Sequence, residues 1–233
     1  MVSPEVLAEM TACVVGLVTN SLGEMSPAER EAVHRESWFT TMQRDRAAFK
    51  STIAYEQMLL KLKEQEKSKA LLTPAEIAVL ECLHYLVNVE GPLQTMCAQL
   101  CLYAVKANLP FEVRRHGATF TIATPEEILR TSLSEKLAFL ETCNVRIPPG
   151  IYNPKLRNSV AHMDFTVLDD GTISYDDEQI AYDRLERLVW NTRDVFVTIQ
   201  RAVANVVGEF LRRDGWRGPF PTPLPPPLPD PPE

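Results

Sequence analysis

Four Ser-Pro or Thr-Pro dipeptides constrain what this chain can fold into more than any other feature. A hydroxyl residue followed by proline is a start signal for an α-helix, because the hydroxyl caps the first turn and proline lacks the N–H that would be left unbonded there. The four signals are Ser3-Pro4, Ser26-Pro27, Thr73-Pro74 and Thr124-Pro125. Three of them have a glutamate at the capping-box position: Glu29, Glu76 and Glu127. The sequence therefore predicts a mainly all-α fold.

The apolar periodicity after each signal sets the expected bounds of the helices. We expect helices from about Pro4 to Asn20, from Pro27 past Lys61, from Pro74 to Val89, from Leu93 to Asn108, from Pro125 to about Cys143 and from Asp177 to Arg213. Gly91-Pro92 is expected to break the helical path between the third and fourth of these helices.

Two shorter segments alternate apolar and polar residues around a glycine turn and predict small β-hairpins. The first runs from Phe111 to Ile122 around His116-Gly117, and the second runs from Asp164 to Tyr175 around Asp169-Asp170-Gly171. We therefore expect a single helical domain over residues 1–213 that carries one or two hairpins. Residues 214–233 are rich in proline and are expected to form a disordered, extended tail.

The net charge and the cysteine pattern indicate which binding functions and which cellular compartment are favoured. The net charge of −7 and the pI near 5.3 disfavour a protein that coats nucleic acid by bulk electrostatics, but they leave room for a local basic site. The five cysteines contain no C-x-x-C pair, which favours buried thiols in a reducing compartment. No signal peptide is evident and no segment approaches about 20 apolar residues, so we expect a cytoplasmic protein without a membrane contact.

Common cofactor and metal motifs are missing from the sequence. It contains no P-loop, no G-x-G-x-x-G after a strand, no H-E-x-x-H and no G-x-S-x-G. Only four histidines are present, which disfavours a multi-histidine metal site. We expect neither a cofactor nor a metal.

The decapeptide from Leu156 to Phe165 holds the chemistry that the rest of the chain lacks. Asn153 can cap a helix here, and Pro154 fits its first turn. At about 100° per residue, the expected core stripe is Leu156, Val160 and Met163. The opposite face then carries Arg157, Asn158, Ala161 and His162.

A cation, an amide and an imidazole around a small residue could bind a phosphate group and move a proton. Tyr152 and Lys155 are further candidate substrate contacts because they lie just before and inside the same short helix. The competing interpretation is a solvated helix face, since arginine and histidine on a helix surface usually have no ligand.

The pattern Arg157-Asn158, three residues, then His162 resembles the signature of the HEPN superfamily. The setting is similar too: long helices come before a short motif helix, and an acidic hairpin with Asp-Asp-Gly-Thr-Ile precedes a long last helix. The resemblance covers about residues 73–213, and residues 1–72 would be extra helices of the same bundle. It implies a HEPN-like helical bundle. It also implies a bacterial metal-independent endoribonuclease of toxin–antitoxin, abortive-infection or CRISPR-associated type, active as a homodimer with a composite site.

The resemblance also implies roles for the motif residues. His162 would transfer a proton, Arg157 would hold the scissile phosphate of RNA, Asn158 would orient the imidazole or the phosphate, and the product would be a 2′,3′-cyclic phosphate. An antitoxin or another defence-system protein would be a partner. Two alternatives stay open: an inactive HEPN-like module that binds a partner protein, nucleotide or RNA, and an unrelated helical interaction protein whose proline-rich tail docks elsewhere.

Overall fold

The computed structural model describes residues 1–37, 54–55, 57–59, 61–62, 64–65 and 72–217, and it confirms a mainly helical fold with two small antiparallel sheets. The helices are α1 (Pro4–Gly23), α2 (Pro27–Ser37), α3 (Pro74–Asn88), α4 (Gln94–Lys106), α5 (Pro125–Arg130), α6 (Leu133–Thr142), α7 (Pro154–Ala161) and α8 (Tyr182–Arg213). The strands are β1 (Phe111–Arg115), β2 (Ala118–Ile122), β3 (Phe165–Val167), β4 (Ile173–Tyr175) and β5 (Glu178–Ile180). The expected continuation of the second helix through residues 38–53, and the proline-rich tail after residue 217, lie outside the described residues.

All four helix start signals are confirmed. The side chains of Ser3, Thr73 and Thr124 accept backbone N–H groups from the first turns of α1, α3 and α5. At α2, the Glu29 backbone N–H donates to Ser26 Oγ, while the Ser26 backbone N–H donates to Glu29 Oε2 at 2.7 Å. These caps are local interactions, and they set the residue at which each of the four helices begins.

The core is built around α4 and α8. Every residue from Thr95 to Ala104 is buried, so α4 is covered on all sides, and it packs against α1, α5, α6 and α8. The long helix α8 lies across the bundle and contacts α1, α2, α3 and α4. Burying a charge without a partner is costly, which explains the absence of charged side chains between Thr95 and Ala104.

Side-chain contacts hold the C-terminal end of α8 against α2. The Arg30 guanidinium makes a two-pronged ion pair with Asp214, with Nε and Nη2 at 2.6 and 2.8 Å from the carboxylate oxygens. The Arg30 guanidinium also lies over the Phe210 ring, and the Trp216 ring packs edge-on against His34. Folded contacts therefore continue beyond the end of α8 as far as Trp216.

Gly91-Pro92 does not break the chain, so that prediction is wrong. A π-helical turn from Val89 to Leu93 carries the helical path from α3 directly into α4. Proline has no N–H to donate and collides with the carbonyl one turn earlier, and a wider turn relieves both problems without ending the helix.

Three other bounds also differ from the sequence prediction. The expected helix from Pro125 to Cys143 is two helices, because Ser132 caps α6 in a capping box with Glu135 that the sequence analysis overlooked. The last helix begins at Tyr182, whereas Asp177 lies in the turn between β4 and β5. The second hairpin is therefore a three-stranded meander in the order β3-β4-β5.

Helix α1 was not expected to resemble a membrane span, and this expectation needs correction. Within the part of the chain that the structure describes, α1 is the one helix that is long and apolar enough to cross a membrane by length and composition. One of its faces, which includes Met10, Val14 and Val18, is buried in the core against α4 and α8. Core helices and N-terminal signal segments both share this composition.

The five thiols are free, and three of them are buried. Burial raises the pKa of Cys82 and of Cys97 to about 12. These thiols behave as small apolar core groups. Cys13 and Cys143 are partly exposed.

A substitution at Gly171 tests how closely the three-stranded meander packs against α3. Its φ is +82°, and a Cβ on it would lie 3.1 Å from the carbonyl oxygen of Pro74. Gly171→Ala should lower the free energy of unfolding by about 2 kcal/mol or more in urea denaturation, since a left-handed residue costs about 1–2 kcal/mol and the contact adds to this. Gly117, with φ +80° and no atom within 4 Å of such a Cβ, is the matched control. Equal losses for Gly171→Ala and Gly117→Ala would contradict the proposed contact.

Candidate functional site

Helix α7 is fixed at its first turn by hydrogen bonds to two other elements. Asn153 caps the helix by accepting the Leu156 N–H at 3.0 Å, and its own backbone N–H donates to Tyr85 Oη of α3 at 2.7 Å. The Asn153 side-chain amide donates to Tyr175 Oη of β4 at 2.9 Å. Leu156 and Val160 are buried beneath the helix. The opposite face of α7 is therefore held in a defined orientation.

That outer face carries the predicted polar residues. The Arg157 side chain is 31% exposed, whereas Asn158, Ala161 and His162 are all exposed. The structure thus places the four residues on the side of α7 away from Leu156 and Val160, as the periodicity predicted.

The Arg157 guanidinium is oriented by two acceptors. Its Nε donates to Glu90 Oε1, and its Nη1 donates to Asn158 Oδ1 at 2.8 Å. The hydrogen bond to Glu90 raises the pKa of Arg157, so the guanidinium stays positively charged. A guanidinium carries five N–H donors, and these two contacts use two of them. Asn158 was expected to orient the imidazole or the phosphate, and in the structure its side-chain oxygen binds Arg157.

Glu90 is the site residue that the sequence analysis missed. It lies in the π-helical turn, 67 positions before Arg157, and its side chain is 44% exposed. The available signal was Gly91-Pro92, read as a helix break. Such a turn within a helix is frequent at functional sites.

A buried lysine, Lys136, interacts electrostatically with Glu90. Lys136 is fully buried, and its Nζ donates to the Thr131 carbonyl oxygen, which also accepts Gln94 Nε2 at 3.2 Å. Burial lowers the pKa of Lys136, while the nearby charges of Glu135 and Glu90 oppose that shift. Glu90 therefore interacts with two basic side chains, with Lys136 through space and with Arg157 by a direct hydrogen bond.

The two further candidate substrate contacts have protein partners. Lys155 Nζ lies 2.8 Å from Glu178 Oε1 on β5, an ion pair that raises the pKa of Lys155 and lowers that of Glu178. Tyr152 is partly buried and packs against the core. Lys155, within α7, and Tyr152, just before it, therefore both have contacts within the protein.

The end of α7 differs from the prediction. The helix ends at Ala161, His162 is the capping residue, and Met163 has φ +56°. The Asp164 N–H donates to the Ser159 carbonyl at 2.8 Å, which closes a Schellman motif. Met163 is 67% exposed, so its expected place in the core stripe is wrong, because the left-handed residue turns the chain out of the helix.

Comparisons of the chain with models of protein families, with curated proteins and with solved structures found no match. The geometry of the α7 face and the resemblance of its motif are therefore the features that bear on function.

Methionine is an unusual choice for a left-handed helix end. The corresponding positions after α4, α6 and α8 are Asn108, Asn144 and Gly215, residue types that tolerate positive φ. Met163→Gly should therefore raise the free energy of unfolding by about 1 kcal/mol, measured by urea denaturation. Asn144→Gly is the control and should give a smaller gain. A Met163→Gly variant no more stable than the wild type would argue against strain at this position.

Proposed function

We propose that this chain is a metal-independent endoribonuclease whose active site is the outer face of α7. The observation that carries the proposal is the Arg157 guanidinium, held at the surface by Glu90 and Asn158, on the same short helix that exposes His162. Anion binding and proton transfer are the two functions that cleavage of RNA without a metal requires.

In the proposed reaction, the ribose 2′-oxygen attacks the adjacent phosphorus and the bond from phosphorus to the 5′-oxygen breaks. The products are a 2′,3′-cyclic phosphate and a 5′-hydroxyl end. His162 takes the proton from the 2′-OH or delivers one to the leaving 5′-oxygen. Arg157 stabilises the negative charge that builds on the phosphate oxygens through charge-assisted hydrogen bonds. DNA is resistant because it lacks the 2′-OH.

A second copy of the chain would complete the site. The exposed Ala161 has the smallest side chain on the outer face of α7 and would let another α7 approach closely. Two facing helices would supply one histidine to each proton transfer. Following the resemblance, we place the protein in the cytoplasm as a toxin or defence effector, restrained by an antitoxin or other partner.

Glu90 has a positioning role in this proposal. It binds Nε of Arg157 and leaves the Nη2 end of the guanidinium for the phosphate. The hydrogen bond with Arg157 holds the Glu90 carboxylate in place. The arginine is then oriented before substrate binds, which lowers the cost of reaching the transition state.

A non-catalytic binding module is the second candidate, and the same ion pair favours it. The Glu90 carboxylate beside Arg157 repels a phosphate, and the chain as a whole has a net charge of −7. Such a module would bind its ligand through Arg157 without cleaving it. The composite active site requires a dimer, so a strictly monomeric chain would favour the other alternative, an unrelated helical interaction protein.

The first test compares RNA cleavage by the wild type, His162→Ala and Arg157→Ala in EDTA. Loss of proton transfer should lower the rate by about 10²–10⁴-fold for His162→Ala, measured by gel electrophoresis and end-group analysis. His116→Asn, which changes an exposed histidine in the β1–β2 turn and suits its φ of +51°, should retain full activity.

The outcomes of this test distinguish the endoribonuclease from the binding module. Cleavage that survives His162→Ala would overturn the catalytic assignment. A wild type that binds RNA without cutting it, and loses that binding in Arg157→Ala, would identify the binding module.

The role of Glu90 predicts a split between kcat and KM. Glu90→Gln keeps the size of the side chain but removes its charge, so kcat should fall by about tenfold while KM changes little. Glu90→Asp should recover part of the loss, and Glu112→Gln on the exposed side of β1 is the control. An increase in kcat would show instead that the carboxylate competes with the substrate phosphate for Arg157.

A further inference from the structure

A surface cavity of about 380 Å³ lies where three helices end. Its wall includes Glu24, Ala107 and Cys143, which are the C-terminal capping residues of α1, α4 and α6. The volume lies within the range of about 300–1,000 Å³ that small-molecule sites occupy. No residue of α7 lines this cavity, so it is separate from the proposed active site.

The electrostatics of the cavity favour a cation. Each helix contributes a partial negative charge of about half an electron at its C-terminal end, and three such ends meet here. Glu24 adds a carboxylate, and no lysine, arginine or histidine lines the wall. At the end of α1, Arg30 Nη1 already donates to the carbonyl oxygens of Leu22 and Met25, so Glu24 and the ends of α4 and α6 provide the negative potential that faces a ligand.

Part of the wall is apolar. Leu17 and Leu109 lie on it with the two partly exposed thiols, Cys13 and Cys143, while Asn20 and Asn144 add amide groups. The ligand that matches this wall has a short hydrocarbon body and a positively charged end.

Gly16 also supports a ligand-binding role for the cavity, because glycine at this position lowers the stability of α1. It lies inside α1, where glycine is less favourable than alanine by about 1 kcal/mol. A Cβ on Gly16 would meet no atom within 4 Å, so close packing does not require glycine there. Its missing side chain instead leaves the cavity open, since Gly16 is part of the wall.

We infer that this cavity binds a small primary alkylammonium compound. The ammonium group lies against Glu24 and the C-terminal ends of α4 and α6, and the hydrocarbon chain lies against Leu17 and Leu109. This site does not depend on the proposed ribonuclease activity.

Three probes with a similar four-carbon body test the inference on the full chain: butylammonium, butanol and butyrate. Butylammonium should raise the thermal midpoint in a saturable way, whereas butyrate should have no effect and butanol at most a weak one. Alkylation by iodoacetamide, followed by mass spectrometry, reports directly on the cavity because Cys13 lines it and Cys82, Cys97 and Cys101 are buried. At about twice its Kd, butylammonium should slow alkylation of Cys13 about threefold.

Two variants and a control locate the binding. Gly16→Leu fills the cavity and should abolish both effects, and the open space around Gly16 means that the variant should fold. Glu24→Gln should weaken butylammonium binding about threefold or more. Glu9→Gln, which removes an exposed carboxylate of α1 that does not line the cavity, should leave binding unchanged.

Two results would overturn the inference. Equal protection of Cys13 by butylammonium and butyrate would show that the cavity has no preference for a cation. Unchanged butylammonium binding in Gly16→Leu would place the ligand elsewhere. Gly16→Ala, a smaller change that should stabilise α1, keeps the test valid if Gly16→Leu fails to fold.

Discussion

The missing N–H of Pro92 is the constraint on which much of this structure depends. Proline inside a helix removes one hydrogen bond and collides with the preceding turn, and the chain accommodates both effects by widening to a π-helical turn. The turn keeps α3 and α4 on one path, so α4 enters the core where every residue from Thr95 to Ala104 is buried. The same turn carries Glu90 to the surface opposite Arg157. One local accommodation therefore sets both the central helix and the partner of the site arginine.

The features that the sequence predicts well are those that local physical chemistry determines. The hydroxyl caps, the prolines after them and the alternation around His116-Gly117 act within a few residues, and the structure has helices and a hairpin where they indicate. The outward orientation of Arg157, Asn158 and His162 follows from periodicity along a single helix turn and was equally predictable.

The features that the sequence does not predict are set by distant contacts or by exceptions to common preferences. Glu90 and Arg157 are 67 positions apart, and only the packing of α3 against α7 brings them together. Met163 fits the apolar stripe of α7 by spacing, but the helix ends two residues before it in a left-handed turn that usually favours glycine or asparagine. The two helices of residues 125–142 are separated by Ser132, a cap without the following proline that marks the other starts.

The position of α8 limits how far the chain can fold while it is being synthesised. It leaves the ribosome after the other described helices, and yet it covers the buried face of α1 together with faces of α2, α3 and α4. Until residues 182–213 have been synthesised, the apolar face of α1 lacks its largest partner, and the Arg30–Asp214 ion pair cannot form. Thr192 of α8 also donates a hydrogen bond to the Ile151 carbonyl just before α7, so the support beneath the α7 face is completed late. A ribosome that stops before α8 therefore releases a chain without the finished α7 surface, and only a chain that extends through α8 can present it.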